Sequence, residues 1–256
     1  MNKSWTFIFS VFFLFSCADD SHLNTVTNTG TNGSYTRMVI ANNYMYKVSD
    51  EELTTYEITN PEEIVEINRQ NVGFLIESFF HLEGILFIGS GEALHIFEID
   101  ASGIPERRSR TDYTDFADDL TPCDPVVSDG TYAYVTLSSV VDNSDPCGRQ
   151  IVLNELRIYD VTDLTNPIQV NAVNMINPKG LAYDQDLLFV CENDGGLKVF
   201  DKSDVTDLHL IHHFEDINTF DVIAKNGLLI VIGQGAIYQF NYTSISDMSL
   251  ISKLDL

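Results

Sequence analysis

A set of polar positions recurs at one register of this 256-residue chain: Arg37, Glu77 or Ser78, Asp124, Lys179 and Asp221. Each precedes a strongly apolar run by seven or eight residues, and each interrupts an otherwise apolar neighbourhood. Side chains of mixed charge held at one level suit a polar binding site. Glu77, Asp124 and Asp221 are also the residue type that hydrolyses glycosidic bonds by paired acid and base. His209, His212 and His213 form a second cluster. Strand alternation places His209 and His213 on one face and His212 on the other, and no further ligand follows at the spacing a metal site needs. Asp112, Asp115, Asp118, Asp119 and Asp124, and separately Asp142, Asn143 and Asp145, are oxygen-rich enough to consider Ca²⁺. Neither stretch has the ordered oxygens, Gly and distal Glu of a calcium loop, so a solvated acidic surface and no cofactor are expected. Nucleophile-elbow, zinc, phosphate-loop and dinucleotide patterns are absent from the sequence. Gly89-Ser90-Gly91 and Gly233-Gln234-Gly235 lie between strand-like runs and are read as turns.

The elements that must carry these residues repeat. Gly84–Phe97, Asp186–Phe200 and Gly227–Phe240 share one pattern: an apolar run, a Gly-bearing turn and an alternating run that closes on an aromatic. Tyr44–Ile58 and Thr131–Val161 are two further copies. The closing aromatics Tyr56, Phe97, Tyr159, Phe200 and Phe240 are spaced by 41, 62, 41 and 40 residues. The long interval contains a polar insertion over 138–154. Each copy holds about four strand-like segments separated by turn formers, and no long stretch has a helical period. Four strands repeating at about 41 residues predict an all-β chain, a five-bladed β-propeller of four-stranded antiparallel blades. The blades fall at about 36–68, 74–111, 119–173, 177–215 and 218–256, within a propeller over 35–256.

Residues 1–16 pair Lys3 with an apolar run from Trp5 to Phe15 and a small Ser16, the layout of a secretory signal. Leu14-Phe15-Ser16-Cys17 resembles a bacterial lipobox. That resemblance implies cleavage before Cys17 and fatty acylation, palmitate included, on its sulfur and new amino group, so the membrane is met through the lipid alone. Ala18-Asp19-Asp20 is similar to the surface-export signal of Bacteroidetes lipoproteins, which implies an outer-membrane, surface-exposed location. Residues 17–34 are the lipidated Cys and a flexible tether rich in Asn, Thr, Gly and Ser.

Leu156-Arg157-Ile158-Tyr159-Asp160-Val161-Thr162-Asp163-Leu164-Thr165-Asn166-Pro167 resembles the LVIVD repeat of bacterial surface propellers. Tyr56–Pro61 and Leu197–Asp204 are weaker copies, and Asn241-Tyr242-Thr243-Ser244 departs furthest. The resemblance implies a propeller but supplies no catalytic residues.

With 38 acidic against 14 basic residues the formal charge is −24, and it becomes −25 once Lys3 leaves with the signal. Such an excess opposes nucleic-acid binding and adsorption to anionic lipid. A non-catalytic binding or scaffold module is the expected function, with an outer-membrane or extracellular protein or ligand as partner. The alternative is an extracellular glycan hydrolase using the carboxylates above. Against that alternative, Trp5 is the only Trp and lies in the signal, which removes the commonest sugar-stacking side chain. In an oxidising compartment Cys123 and Cys147 are expected to pair as a disulfide across the insertion, and Cys191, inside an apolar run, to be a buried thiol. Alkylation followed by intact mass measurement checks the pair. Two sites that label only after reduction are expected, and equal labelling with and without reductant would refute the bridge.

Overall fold

The computed structural model describes residues 37–113, 125–138 and 153–256. These form five four-stranded antiparallel sheets, each built from strands consecutive in sequence. Blade 1 comprises β1 (Met38–Ala41), β2 (Tyr44–Val48), β3 (Glu52–Glu57) and β4 (Val65–Asn71). Blade 2 comprises β5 (Ile76–Leu82), β6 (Ile85–Ser90), β7 (Ala93–Ile99) and β8 (Pro105–Asp112). Blade 3 comprises β9 (Val126–Ser128), β10 (Tyr132–Ser138), β11 (Asn154–Asp160) and β12 (Ile168–Asn174). Blade 4 comprises β13 (Leu181–Asp184), β14 (Leu187–Cys191), β15 (Leu197–Asp201) and β16 (His209–Phe214). Blade 5 comprises β17 (Thr219–Lys225), β18 (Leu228–Gly233), β19 (Ala236–Asn241) and β20 (Ser249–Asp255). The first strands adjoin one another in the order β1, β5, β9, β13, β17. The chain is a five-bladed β-propeller, with its first strands innermost.

One irregularity recurs in all five blades. Where the third strand pairs with the fourth, an extra residue enters the fourth strand just beside the closing aromatic. The register shifts between Thr55 and Tyr56, Ile96 and Phe97, Ile158 and Tyr159, Val199 and Phe200, and Gln239 and Phe240. A bulge of this kind bends and twists the outer strand. The aromatic period of the sequence is therefore also a period of backbone geometry.

The bulge overturns one expectation from alternation. His209 pairs with Asp201, His212 with Val199 and His213 with Lys198. Directly paired residues share a face, so His209 and His212 lie together and His213 lies opposite. The extra residue, Ile211, inverts the alternation between them.

The Asp-x-Ser/Thr pattern is turn chemistry. Past the third strand, Asp160 Oδ1 accepts from both the N–H and the hydroxyl of Thr162, at 2.9 and 2.7 Å. Asp100 with Ser102, and Asn241 with Thr243, repeat the pair of bonds. Asp163 and Asp204 make it again one turn later, with Thr165 and Thr206. Such side-chain caps satisfy backbone donors that leave the ladder. Several of the acidic residues behind the net charge are committed in this way.

Three buried clusters hold the blades. One joins blades 1 and 2 through Tyr46, Leu53, Ile88 and Phe97. A second joins blades 2, 3 and 4 through Phe87, Leu94, Tyr134, Tyr159 and Phe200. A third joins blades 4 and 5 through Phe189, Val199, Val231 and Phe240. Leu94 is fully buried whereas Leu250 on β20 is 51% exposed. Leu94→Ala is accordingly expected to cost about 2–5 kcal/mol in denaturant unfolding, and Leu250→Ala less than about 0.5 kcal/mol. Similar losses at both positions would contradict this placement of the core.

Candidate functional site

The recurring polar register lies at one end of the innermost strands. Arg37 immediately precedes β1. Glu77 is the unpaired residue where β5 shifts register between Ile76 and Ser78. Asp221 flanks the equivalent shift in β17, where Phe220 is the extra residue. Lys179 stands two residues ahead of β13. Arg37 is exposed, Glu77, Lys179 and Asp221 are half-buried, and Ser78 is fully buried. Asp124 lies outside the described residues, as do Cys17, Cys123 and Cys147.

At this level, backbone carbonyls freed near the strand starts are taken up by the preceding blade. Arg37 Nη2 donates to the Ile76 carbonyl at 3.0 Å, joining blade 1 to blade 2. Thr136 Oγ1 donates to the Lys179 carbonyl at 2.6 Å, joining blade 3 to blade 4. The Gly180 N–H donates to the Phe220 carbonyl at 2.8 Å, joining blade 4 to blade 5. Gly180 is required sterically, because a Cβ there would lie 2.1 Å from Asp221 Oδ1 and 2.7 Å from its Cα. The Lys179 ammonium reaches Ser138 Oγ at 3.3 Å, and Arg37 meets Asp50 at 3.1 Å in an exposed ion pair. The register thus places Arg37, Glu77, Lys179 and Asp221 along a rim where hydrogen bonds tie blade 1 to 2, blade 3 to 4 and blade 4 to 5.

Other polar groups came together without any signal in sequence spacing. The Glu192 carboxylate is fully buried. Its Oε1 accepts from the Ile176 N–H at 2.7 Å, and its Oε2 meets Lys198 Nζ at 2.6 Å. At the opposite end of the strands, Lys202 of blade 4 reaches back to Asp129 of blade 3 at 2.7 Å, where the Tyr134 hydroxyl also donates, at 2.9 Å. Burial would raise the Asp129 pKa, but the bond from Lys202 and those from the Tyr132 N–H and Tyr134 hold it below its ordinary value. A groove of about 300 Å³ opens here, lined by Asp129, Tyr132, Asp186 and Lys202. A second, of about 400 Å³, lies between blades 4 and 5, where the Tyr242 hydroxyl donates to Asp184 at 2.6 Å.

Ser90 and His95 lie 3.0 Å apart, but both are fully buried. Ser90 Oγ donates to the Ala93 carbonyl, so His95 donates from Nε2 and its Nδ1 is left without a hydrogen-bond partner. The pair is sealed from substrate and serves packing. Burial, reinforced by the Arg107 and Arg110 charges, pushes the His95 pKa down to about 3. His213 donates to the Gly195 carbonyl at 2.6 Å, and His212 meets the Ile245 carbonyl. Among the described residues no three His, Cys, Asp or Glu side chains are grouped to hold a metal. Cys191 is buried, and burial raises its thiol pKa.

No family model and no curated protein matches this chain. Solved structures do. A protein from Lactobacillus plantarum aligns with TM-score 0.62 at 12% identity over 85% of this chain and 69% of its own. The periplasmic gluconolactonase PpgL of Pseudomonas aeruginosa aligns with TM-score 0.61 at 12% identity, over 85% and 71%. BamB from Moraxella catarrhalis aligns with TM-score 0.55 at 12% identity, over 86% and 63%. The chain therefore spans roughly two thirds of the length of these propeller-like proteins, and at this identity the likeness is one of fold.

The sealed His95 generates a pH dependence. Its native form stays neutral down to about pH 3, whereas in the unfolded chain it titrates near 6.5. The unfolded state therefore binds the extra proton between these values, so stability falls as pH falls through that window and is unaffected by His95 above it. Between pH 7 and pH 5 this amounts to about 2 kcal/mol. Chemical denaturation of the wild type and His95→Leu at both pH values checks it: the variant is expected to lose that share of the acid sensitivity, and an unchanged difference would refute the assignment.

Proposed function

We propose that this chain is a non-catalytic binding or scaffold propeller, anchored through lipid on Cys17 at the outer membrane and facing outward, with its partner engaged at the rim of Arg37, Glu77, Lys179 and Asp221. The observation that carries the binding reading is the pre-organisation of that rim. Its charged side chains are part-exposed, and the backbone beneath three of them is fixed by bonds between blades. Rigid placement lowers the ordering cost of a contact. The anchoring half rests on the lipobox-like Leu14–Cys17 and the Asp19-Asp20 that follow. Membership of the LVIVD type rests on the Asp-x-Thr turns and their closing aromatics.

Metabolic labelling with a palmitate analogue, followed by protease treatment of intact cells, tests the anchor. Label lost on Cys17→Ala, and cleavage of the wild-type head without lysis, are expected. An unlabelled wild type or a protected head would refute it. Cross-linking on cells with the triple variant Arg37→Ala, Lys179→Ala and Asp221→Ala tests the rim, with at least a tenfold loss of cross-linked partner expected. Hydrolysis of a glycan panel that disappears in Glu77→Gln or Asp221→Asn would replace the binding reading with an enzymatic one.

A further inference from the structure

The five blades are not buried alike. In the second strands of blades 2, 3 and 4 every residue after the first is buried, so both faces are covered. In β18 buried residues alternate with exposed or half-buried ones, and in β1 burial alternates in the same way. The three core clusters run from blade 1 to blade 5 in order, and among the described residues none joins blade 5 back to blade 1. The closing aromatics tell the same story. Phe97, Tyr159, Phe200 and Phe240 are buried, in clusters shared with the preceding blade. Tyr56, in the first described blade, is only half-buried.

Strand pairing identifies the free surfaces. Ile223 pairs with Ile230, and Ile232 shares their face; this is the side of blade 5 turned away from blade 4. Ile40 pairs with Met45 and Met45 with Tyr56; this is the side of blade 1 turned away from blade 2. Ile40 is 56% exposed and Ile232 42%. Single exposed apolar residues are ordinary, but two contiguous sheet faces of them mark an interaction surface.

We propose that a second copy of this chain occupies this seam, its blade 1 seated on blade 5 of the first. The chain itself carries both halves of such a contact. Each internal seam is made by one blade's forward face and the next blade's backward face, and among the described residues one of each is left uncovered. Charge supports the same pairing. At the end of the strands opposite the rim, each seam sets the first turn of one blade against the segment after the third strand of the next, as in Asp129 with Lys202 and Asp184 with Tyr242. The free turn of blade 5 carries Lys225, and the free segment of blade 1 carries Glu62 and Glu63, all exposed. Opposite charges meet in a chain whose acidic excess would otherwise oppose self-association. Contact between unlike surfaces of identical copies is heterologous, so assemblies larger than two chains are compatible with it.

The test is the mass of the full chain in mild detergent, by light scattering that separates protein from detergent. A mass of two or more chains is expected, falling to one chain in Ile40→Asp and in Ile232→Asp, with circular dichroism unchanged. Oxidising a mixture of Ile40→Cys chains and Ile232→Cys chains is expected to give a disulfide between the two variants. A one-chain mass for the wild type at all concentrations would overturn the proposal. So would an assembly that survives both Asp variants, or a disulfide within one chain in the Ile40→Cys/Ile232→Cys double variant, which would mean the propeller closes on itself.

Discussion

A four-stranded sheet with apolar side chains on both faces cannot be stable alone, and the propeller exists because each blade covers its neighbour. Everything else in this chain serves that packing. The bulge beside each closing aromatic twists the outer strand and sets the aromatic toward the preceding blade. Four of the five aromatics are buried there, and the fifth, Tyr56, stands on the first blade's free side. Coverage passes from blade to blade, so the two terminal blades keep one face each that no buried cluster of the described residues covers.

Polar bonds act at both ends of these packed faces. At one end, Arg37, Thr136 and Gly180 donate to carbonyls of the next blade, which fixes the rim whose charged side chains are the candidate binding residues. At the other, Lys202 with Asp129 and Tyr242 with Asp184 join successive blades. The acidic excess has a structural share as well. Asp100, Asp160, Asp163, Asp201 and Asp204 cap their own turns, so part of the −24 formal charge belongs to the turn chemistry of the repeat.

The repeat was legible because hydrophobic runs, turn formers and closing aromatics recur at nearly fixed spacing. The strands of the fourth blade, read from sequence as about 180–183, 187–191, 197–201 and 208–214, fall within a residue or so of β13 to β16. What escaped was whatever depends on a single inserted residue or on a neighbour distant in sequence. The bulge at Ile211 reversed the facing of His209 and His213, and alternation cannot register one extra residue. Ser78 and Glu77 looked equivalent, yet the shift in β5 leaves Ser78 fully buried. Lys202 and Asp129 are 73 residues apart, and neither residue's local context marks it for the other. The unequal burial of the terminal blades was equally invisible, because β18 is as apolar in sequence as β14 and differs only in what lies against it.

Hydroxyl-radical footprinting of the chain at high dilution, where copies are separate, reads this order of coverage residue by residue. Strong oxidation of Tyr56 and Met45 on the outer face of blade 1 is expected, with Phe97, Tyr159, Phe200 and Phe240 protected. Protection of Tyr56 equal to that of the other four aromatics in the separated chain would contradict it.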